Sequence, residues 1–172
     1  MNKENLAKVQ PHLNIVRVHP TNISFNTNLS EDVHLARNGL KQTFTRFQWK
    51  CTGQASGEIE VEPGTTQYLI SILVNTVTSI ADQPETGPIP EGTEIPDAIL
   101  VASIEITFSV DYISALAPND LDPEGMQEFI QHNCPYHFWP YWRELVQNLA
   151  LRAQIPVPAL PSYTVPKVAR PD

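Results

Sequence analysis

Cys134-Pro135-Tyr136-His137-Phe138-Trp139-Pro140-Tyr141-Trp142-Arg143-Glu144-Leu145-Val146-Gln147-Asn148-Leu149-Ala150-Leu151-Arg152 is the stretch whose reading decides the fold. Pro140 is placed to open a helix, because its missing N–H falls where helical N–H groups are unpaired anyway. Downstream, Trp142, Leu145, Val146, Leu149, Ala150 and Ala153 recur at the spacing of one buried helical stripe. That stripe requires a sheet or a second helix to cover it. The opposite side carries Tyr141, Glu144, Asn148 and Leu151, so two large apolar groups stand where a solvated face should be polar. Tyr136, Phe138, Trp139 and Tyr141 crowd into six positions of proline-punctuated chain. Either they seal the end of a core, as buried aromatics usually do, or they exceed what the core can hide.

Outward from this stretch, the rest of the chain alternates. Leu13 to Val18, a turn at His19-Pro20-Thr21-Asn22 and Ile23 to Phe25 read as an extended or bulged strand. Residues 26 to 39 read as a surface crossing and Leu40 to Cys51 as a strand. Gly53 to Gly57 is expected to interrupt it before Glu58 to Glu62 resumes and Pro63-Gly64 turns the chain. Thr66 to Ser79 is apolar on both faces, which predicts burial on both sides. Residues 80 to 96, with four prolines and four acids, form a long acidic connection. A connection of that length is functional or mobile. Ala98 to Ile113 alternates cleanly, with Leu100, Ala102, Ile104, Ile106, Phe108, Val110 and Tyr112 on the core side. Asp122-Pro123 supplies a helix cap and first position for a short amphipathic helix with Met126, Phe129 and Ile130. Ile155 to Val165 is extended by its prolines and packs across the fold, and residues 166–172 form a flexible tail. Strands first and helices last predict an α+β domain over residues 1–165: an antiparallel sheet with helices packed on one face.

At 172 residues the chain suffices for one domain with a sizeable core. A net charge of −8 argues against nucleic acid as a partner and favours basic ones. No apolar run reaches the length of a membrane span, and the first residues lack the apolar core of a secretory signal, so a cytoplasmic protein is expected. Cys51 and Cys134 are expected to be reduced. The Asn22-Ile23-Ser24 sequon carries no weight without such a signal.

Reactive chemistry is weakly signalled. His132-Asn133-Cys134-Pro135-Tyr136-His137 brings a thiol near two imidazoles, but no third, orienting group is identifiable and the spacing is not that of a zinc site. Asp120-Leu121-Asp122-Pro123-Glu124-Gly125 imitates the opening of a calcium loop and fails at its twelfth position, where Gln131 stands. No glycine loop is built to cradle phosphate. The expectation is therefore no enzyme, no metal and no cofactor. Surplus aromatic surface in an acidic field describes a protein that holds other polypeptides.

Three ordered motifs resemble the SecB export chaperones. Cys134-Pro135 with Phe138-Trp139-Pro140-Tyr141-Trp142-Arg143-Glu144 is similar to that family's Cys-Pro and Phe-Pro-Tyr-Ala-Arg-Glu signature. Arg152-Ala153-Gln154-Ile155-Pro156 is similar to its Arg-Gly-Thr-Phe-Pro, with Leu160-Pro161 close to its Ala-Pro. Val16 to Phe25, ending Asn22-Ile23-Ser24-Phe25, is similar to its first strand. The likeness spans most of the chain and is weakest between residues 28 and 64.

The resemblance implies a four-stranded antiparallel sheet with helices on one side, assembled as a dimer of dimers. It implies an ATP-independent holdase that keeps non-native polypeptide clients in an apolar groove. Transferred by position, that groove involves Phe129, Ile130, Phe138, Trp139, Tyr141 and Trp142. The family's acids around Ile-Ser-Phe are replaced by the neutral Asn22 and Asn26, and its metal-binding tail is missing after Val165. Both departures argue against docking of the translocase motor and towards the branch dedicated to the antitoxin of a toxin–antitoxin pair. General export, a non-chaperone scaffold oligomer whose aromatics are only an interface, and a Cys–His enzyme are the competing readings.

Overall fold

The structure, a computed structural model, describes residues 1–28, 43–84, 87–90, 92–155 and 160–163. Along the chain run α1 (Lys3–Val9), a single 3-10 turn (Gln10–His12), β1 (Asn14–Thr27), β2 (Thr43–Glu62), β3 (Thr65–Asp82), β4 (Leu100–Ser114), a second 3-10 turn (Pro118–Asp120) and α2 (Pro123–Arg152). The strands form one antiparallel sheet in the order β1-β4-β3-β2. This is a Greek-key order, in which the first strand returns beside the last of a three-strand meander. The expected α+β architecture is the one observed.

Strand lengths depart from the sequence reading, each for a local reason. β1 is the expected bulged strand, and it runs on through the expected turn at Pro20, because an edge strand tolerates a residue without N–H. The pairing slips there, between Pro20 and Asn22, and the Thr21 hydroxyl donates to the Thr107 carbonyl instead. β2 likewise continues through Gly53 and Gly57, absorbing the irregularity as a register shift between Cys51 and Gly53. Pro63-Gly64 does turn the chain. Glu62 faces Thr65, and Gly64 adopts φ +83°, the conformation that favours glycine at the second turn position. β3 extends to Asp82 because Ile80 and Ala81 are buried. Residues 29–42, most of the expected surface crossing, and the tail at 166–172 lie outside the described residues.

The core lies between one face of the sheet and α2. Ile70, Ile72 and Val74 of β3 and Ile104, Ile106, Phe108, Val110 and Tyr112 of β4 are buried beneath Phe129, Phe138, Trp142, Val146 and Ala150. Burial of β3 on both faces is not what the structure shows. Leu69, Leu73 and Val77 on the outer face remain half-buried, because helices cover only one side of the sheet. That outer face is largely polar. Arg17 donates twice to the buried Asp111 carboxylate, at 2.9 and 2.7 Å, Ser109 donates to it at 2.6 Å, and Asn75 donates to Glu105. At its β2 end Arg46 donates to the Pro90 and Thr93 carbonyls, tying the 83–99 connection to the sheet.

The two expected helices after β4 are one. α2 runs 30 residues through Pro135 and Pro140, about 45 Å at 1.5 Å per residue. Pro140 therefore opens nothing, and its ring sits mid-helix. Each interior proline costs about 3 kcal/mol. Full burial of each large apolar side chain on the stripe returns about 1.5–3 kcal/mol, so Phe129, Phe138, Trp142 and Val146 together outweigh both. The start at Asp122 is as expected: its carboxylate accepts the Gly125 N–H at 2.9 Å, with Pro123 at the first position. The polar leader at residues 3 to 9 is α1, capped by Asn2 and buried through Leu6 and Val9. Its seven residues carry only these two large apolar side chains besides Ala7, too few to register as a periodicity.

Candidate functional site

Rings connect the sheet to the outer side of α2 without a break. Phe47 of β2 lies 4.1 Å between centroids from Trp142 and 4.9 Å from Trp139. Trp139 in turn lies 5.3 Å from Tyr163, which reaches back beside Tyr136 at 6.3 Å. The cluster begins in the core and ends in solvent. Trp142 is fully buried and Trp139 half-buried, whereas Tyr136 and Tyr141 are 60% and 48% exposed.

Residues 160–163 make this arrangement concave. Leu160 is buried, the Pro161 carbonyl accepts the Trp139 indole N–H at 2.8 Å, and the Tyr163 hydroxyl donates to the His132 carbonyl at 3.1 Å. Residues 160–163 thus lie against α2, while 156–159 and 164–165, the rest of the expected extended segment, lie outside the described residues. Between them lies a cavity of about 420 Å³, walled by Ile15, Tyr136, Trp139, Tyr141, Arg143 and Tyr163. A larger one, about 690 Å³, opens between β2 and the first turns of α2. Its apolar wall is Trp49, Cys51, Leu121, Met126 and Ile130, and its rim carries Lys50 with Gln54, Asn119, Gln127 and Gln131.

The six groove residues named from the sequence divide between interior and surface. Phe129, Phe138 and Trp142 are core side chains, and the Trp142 indole donates to Thr78 at 2.9 Å. Ile130 lines the larger cavity, while Trp139 and Tyr141 line the smaller. Sequence reasoning did not name Ile15, Trp49, Met126 or Tyr163, which lie on elements distant in sequence and meet only through the topology. For Tyr163 a signal existed, an aromatic in a proline-rich extended segment.

The thiol is poorly placed for chemistry. Burial pushes Cys134 up to about 12, so it stays protonated at neutral pH. His137 is lowered from its ordinary value by burial, and its Nδ1 is engaged by the Tyr112 hydroxyl at 2.9 Å. His132 lies 3.3 Å from Glu128. Cys51 and Cys134 are both free. Among the described residues, no group of three or more His, Cys, Asp or Glu side chains is placed to hold a metal ion. Among the same residues, no helix is long and apolar enough to cross a membrane.

This sheet, covered on one face by a long helix that residues 160–163 cross, has the fold of the SecB-like chaperones. A solved structure similar to it is the SecB-like chaperone Rv1957 of Mycobacterium tuberculosis, in complex with a ChAD peptide from the Rv1956 HigA1 antitoxin. The likeness has a TM-score of 0.59 at 13% sequence identity and covers 95% of this chain and 99% of that chain. No family model matches the chain, and no curated protein matches it.

Proposed function

We propose that the chain is an ATP-independent chaperone that holds a non-native polypeptide along α2, with an antitoxin as its dedicated client. The observation that carries this reading is the ring cluster, which continues past the core into open surface at Tyr136, with the exposed Tyr141 on the wall of the same cavity. Apolar concavities of this kind mark sites for other chains. The amide rim of the larger cavity suits the backbone of an extended client, since Gln and Asn both donate and accept. Apolar contact with backbone bonding gives affinity without a fixed sequence, and repeated contacts along one groove add to it. The antitoxin client is supported by the fold shared with Rv1957, itself seen with an antitoxin peptide. Assembly into a homo-oligomer, as a dimer of dimers in the cytoplasm, belongs to the same proposal, supported by Val16 and Ile23 exposed on the edge strand β1.

The test is suppression of aggregation. Stoichiometric protein, without ATP, is expected to keep a chemically unfolded test enzyme from scattering light. Absence of suppression favours the scaffold reading. Capture from the native cell then separates the clients: one antitoxin supports the specialised role, and many precursors together with the translocase motor support general export.

A further inference from the structure

Arg143 stands out on the α2 surface. It is half-buried, and its Nε is shielded from solvent with no hydrogen-bond partner. Among the described residues it forms no ion pair with any carboxylate. A cation left with an unmet donor is destabilising until something accepts from it. The 420 Å³ cavity that it lines is walled mainly by Tyr136, Trp139, Tyr141, Tyr163 and Ile15, with His137 and Ser162 as its other polar members.

Arg143 also lies at a junction. A second concavity of about 540 Å³ shares Pro140 and Arg143 with the first and continues along the helix past Gln147 to Leu151, which is 76% exposed. The acid in that lobe, Glu144, accepts from Asn148. From Tyr136 to Leu151 the two lobes follow about 22 Å of helix axis, the length of about seven extended residues. A chain end lodged at Arg143 would leave one lobe empty, whereas a segment running through both presents a side chain at the junction.

We infer that Arg143 selects clients, drawing into this groove a through-running polypeptide segment in which an Asp or Glu side chain stands beside a large apolar one. The inference rests on the chaperone reading and adds to it a chemical preference. The apolar neighbour enters the ring-lined lobe, and the carboxylate accepts from the guanidinium, whose planar fork fits it. The net charge of −8 disfavours acidic segments over the surface as a whole, whereas at this junction the guanidinium with its unmet Nε donor attracts a carboxylate.

The experiment uses the full-length protein and three labelled peptides, identical except for Glu, Gln or Lys beside a central tryptophan, with affinity read by fluorescence anisotropy. The Glu peptide is expected to bind about tenfold more tightly than the Gln peptide, a difference of about 1.4 kcal/mol, and the Lys peptide most weakly. Arg143→Gln should bring the Glu-to-Gln ratio to about one, and Arg143→Lys, which keeps a point charge without the fork, should leave it intermediate. A wild-type ratio of one overturns the inference and needs no variant to fold. So does a ratio unchanged in Arg143→Gln. A changed sedimentation coefficient in that variant with the peptide ratio intact assigns the groove to a second copy of the chain and also overturns it. If Gln and Glu peptides bind equally well while aggregation is still suppressed, only the carboxylate preference fails. If no peptide binds and aggregation proceeds, the chaperone reading itself has failed and the inference falls with it.

Discussion

The Trp142 indole N–H donates to the Thr78 hydroxyl across 2.9 Å in the fully buried layer between α2 and β3. The bond satisfies two polar groups that burial would otherwise leave unpaired, and the ring fills the space above Phe47. Trp142→Ala is therefore expected to cost about 3–5 kcal/mol, as large core truncations do. Trp139, three residues earlier, is half-buried and, among the described residues, its indole bonds only to the Pro161 carbonyl. Trp139→Ala should lower stability by less, about 2–3 kcal/mol for one hydrogen bond and the ring contacts to Phe47, Trp142 and Tyr163, while weakening client binding markedly. Equal falls in melting temperature for the two variants would contradict this division of core from groove.

α1 approaches α2 so closely that position 125 has no room for a side chain. A Cβ on Gly125 would stand 2.6 Å from both the Asn5 carbonyl oxygen and Val9 Cγ2. Ala is intrinsically better in a helix by about 1 kcal/mol, so the sign of Gly125→Ala shows which effect wins. Backbone and a buried valine cannot both retreat, and the variant should be destabilised by about 1–3 kcal/mol, in the range of overpacked cores. Chemical denaturation reads this directly, and a stabilised variant would mean that α1 is not docked as described.

Asp111 gives the stability an acid limb. Burial alone would raise its carboxyl, but the hydrogen bonds from Ser109 and Arg17 outweigh burial and hold it below the usual range. A carboxyl whose folded value is depressed contributes stability that is complete above its unfolded value, about 3.9, and lost as pH falls through the folded one. Asp111→Asn should therefore be less stable than wild type at neutral pH, with the two denaturation midpoints converging as the solution is acidified. His137, lowered by burial, adds a loss that begins as pH falls below its unfolded value, about 6.5. A constant gap between Asp111→Asn and wild type down to low pH would remove the ion pair from the account.

How much of this was readable beforehand depended on whether a feature was local. The alternation of β4 and the stripe from Trp142 to Ala153 depend on nearest turns and pleats, and both appear as read, with Trp142, Val146 and Ala150 buried. The Pro63-Gly64 turn is equally local. Glycine and proline inside regular elements misled, at Gly53, Gly57, Pro135 and Pro140, because pairing and burial supplied by distant residues override a local preference. The surplus of rings was legible as composition. Its partition, with Phe138 inside and Tyr136 outside, depends on where the sheet lies, and Ile15 and Tyr163 join the cavity only through the topology.

The buried thiol yields a further expectation. With Cys134 fully buried and raised to about 12, a thiol reagent at mildly alkaline pH should label the half-buried Cys51 first and leave Cys134 untouched until the protein unfolds. Cys134→Ser should keep client binding, at a cost of about 1–3 kcal/mol for a hydroxyl in a thiol's place. Loss of binding in a folded Cys134→Ser protein would restore the Cys–His reading. Mass spectrometry of the labelled protein distinguishes the two thiols.

Pro140 tests the continuity of α2 itself. In a helix running from Pro123 to Arg152, its missing N–H leaves the Tyr136 carbonyl without its helical partner, at a cost of about 3 kcal/mol or more in a helix interior. Replacing proline with alanine also gives the unfolded chain more freedom, which lowers stability by about 0.4–1 kcal/mol. The first effect is the larger, so Pro140→Ala should be net stabilising, by about 2 kcal/mol at most where the helix has already adapted to the ring. If Pro140 instead stood at the first position of a separate helix, nothing would be regained, because that N–H is unpaired in any case. The substitution would then be neutral or destabilising by the entropic amount alone. A rise in the denaturation midpoint therefore supports one continuous helix, and a fall contradicts it.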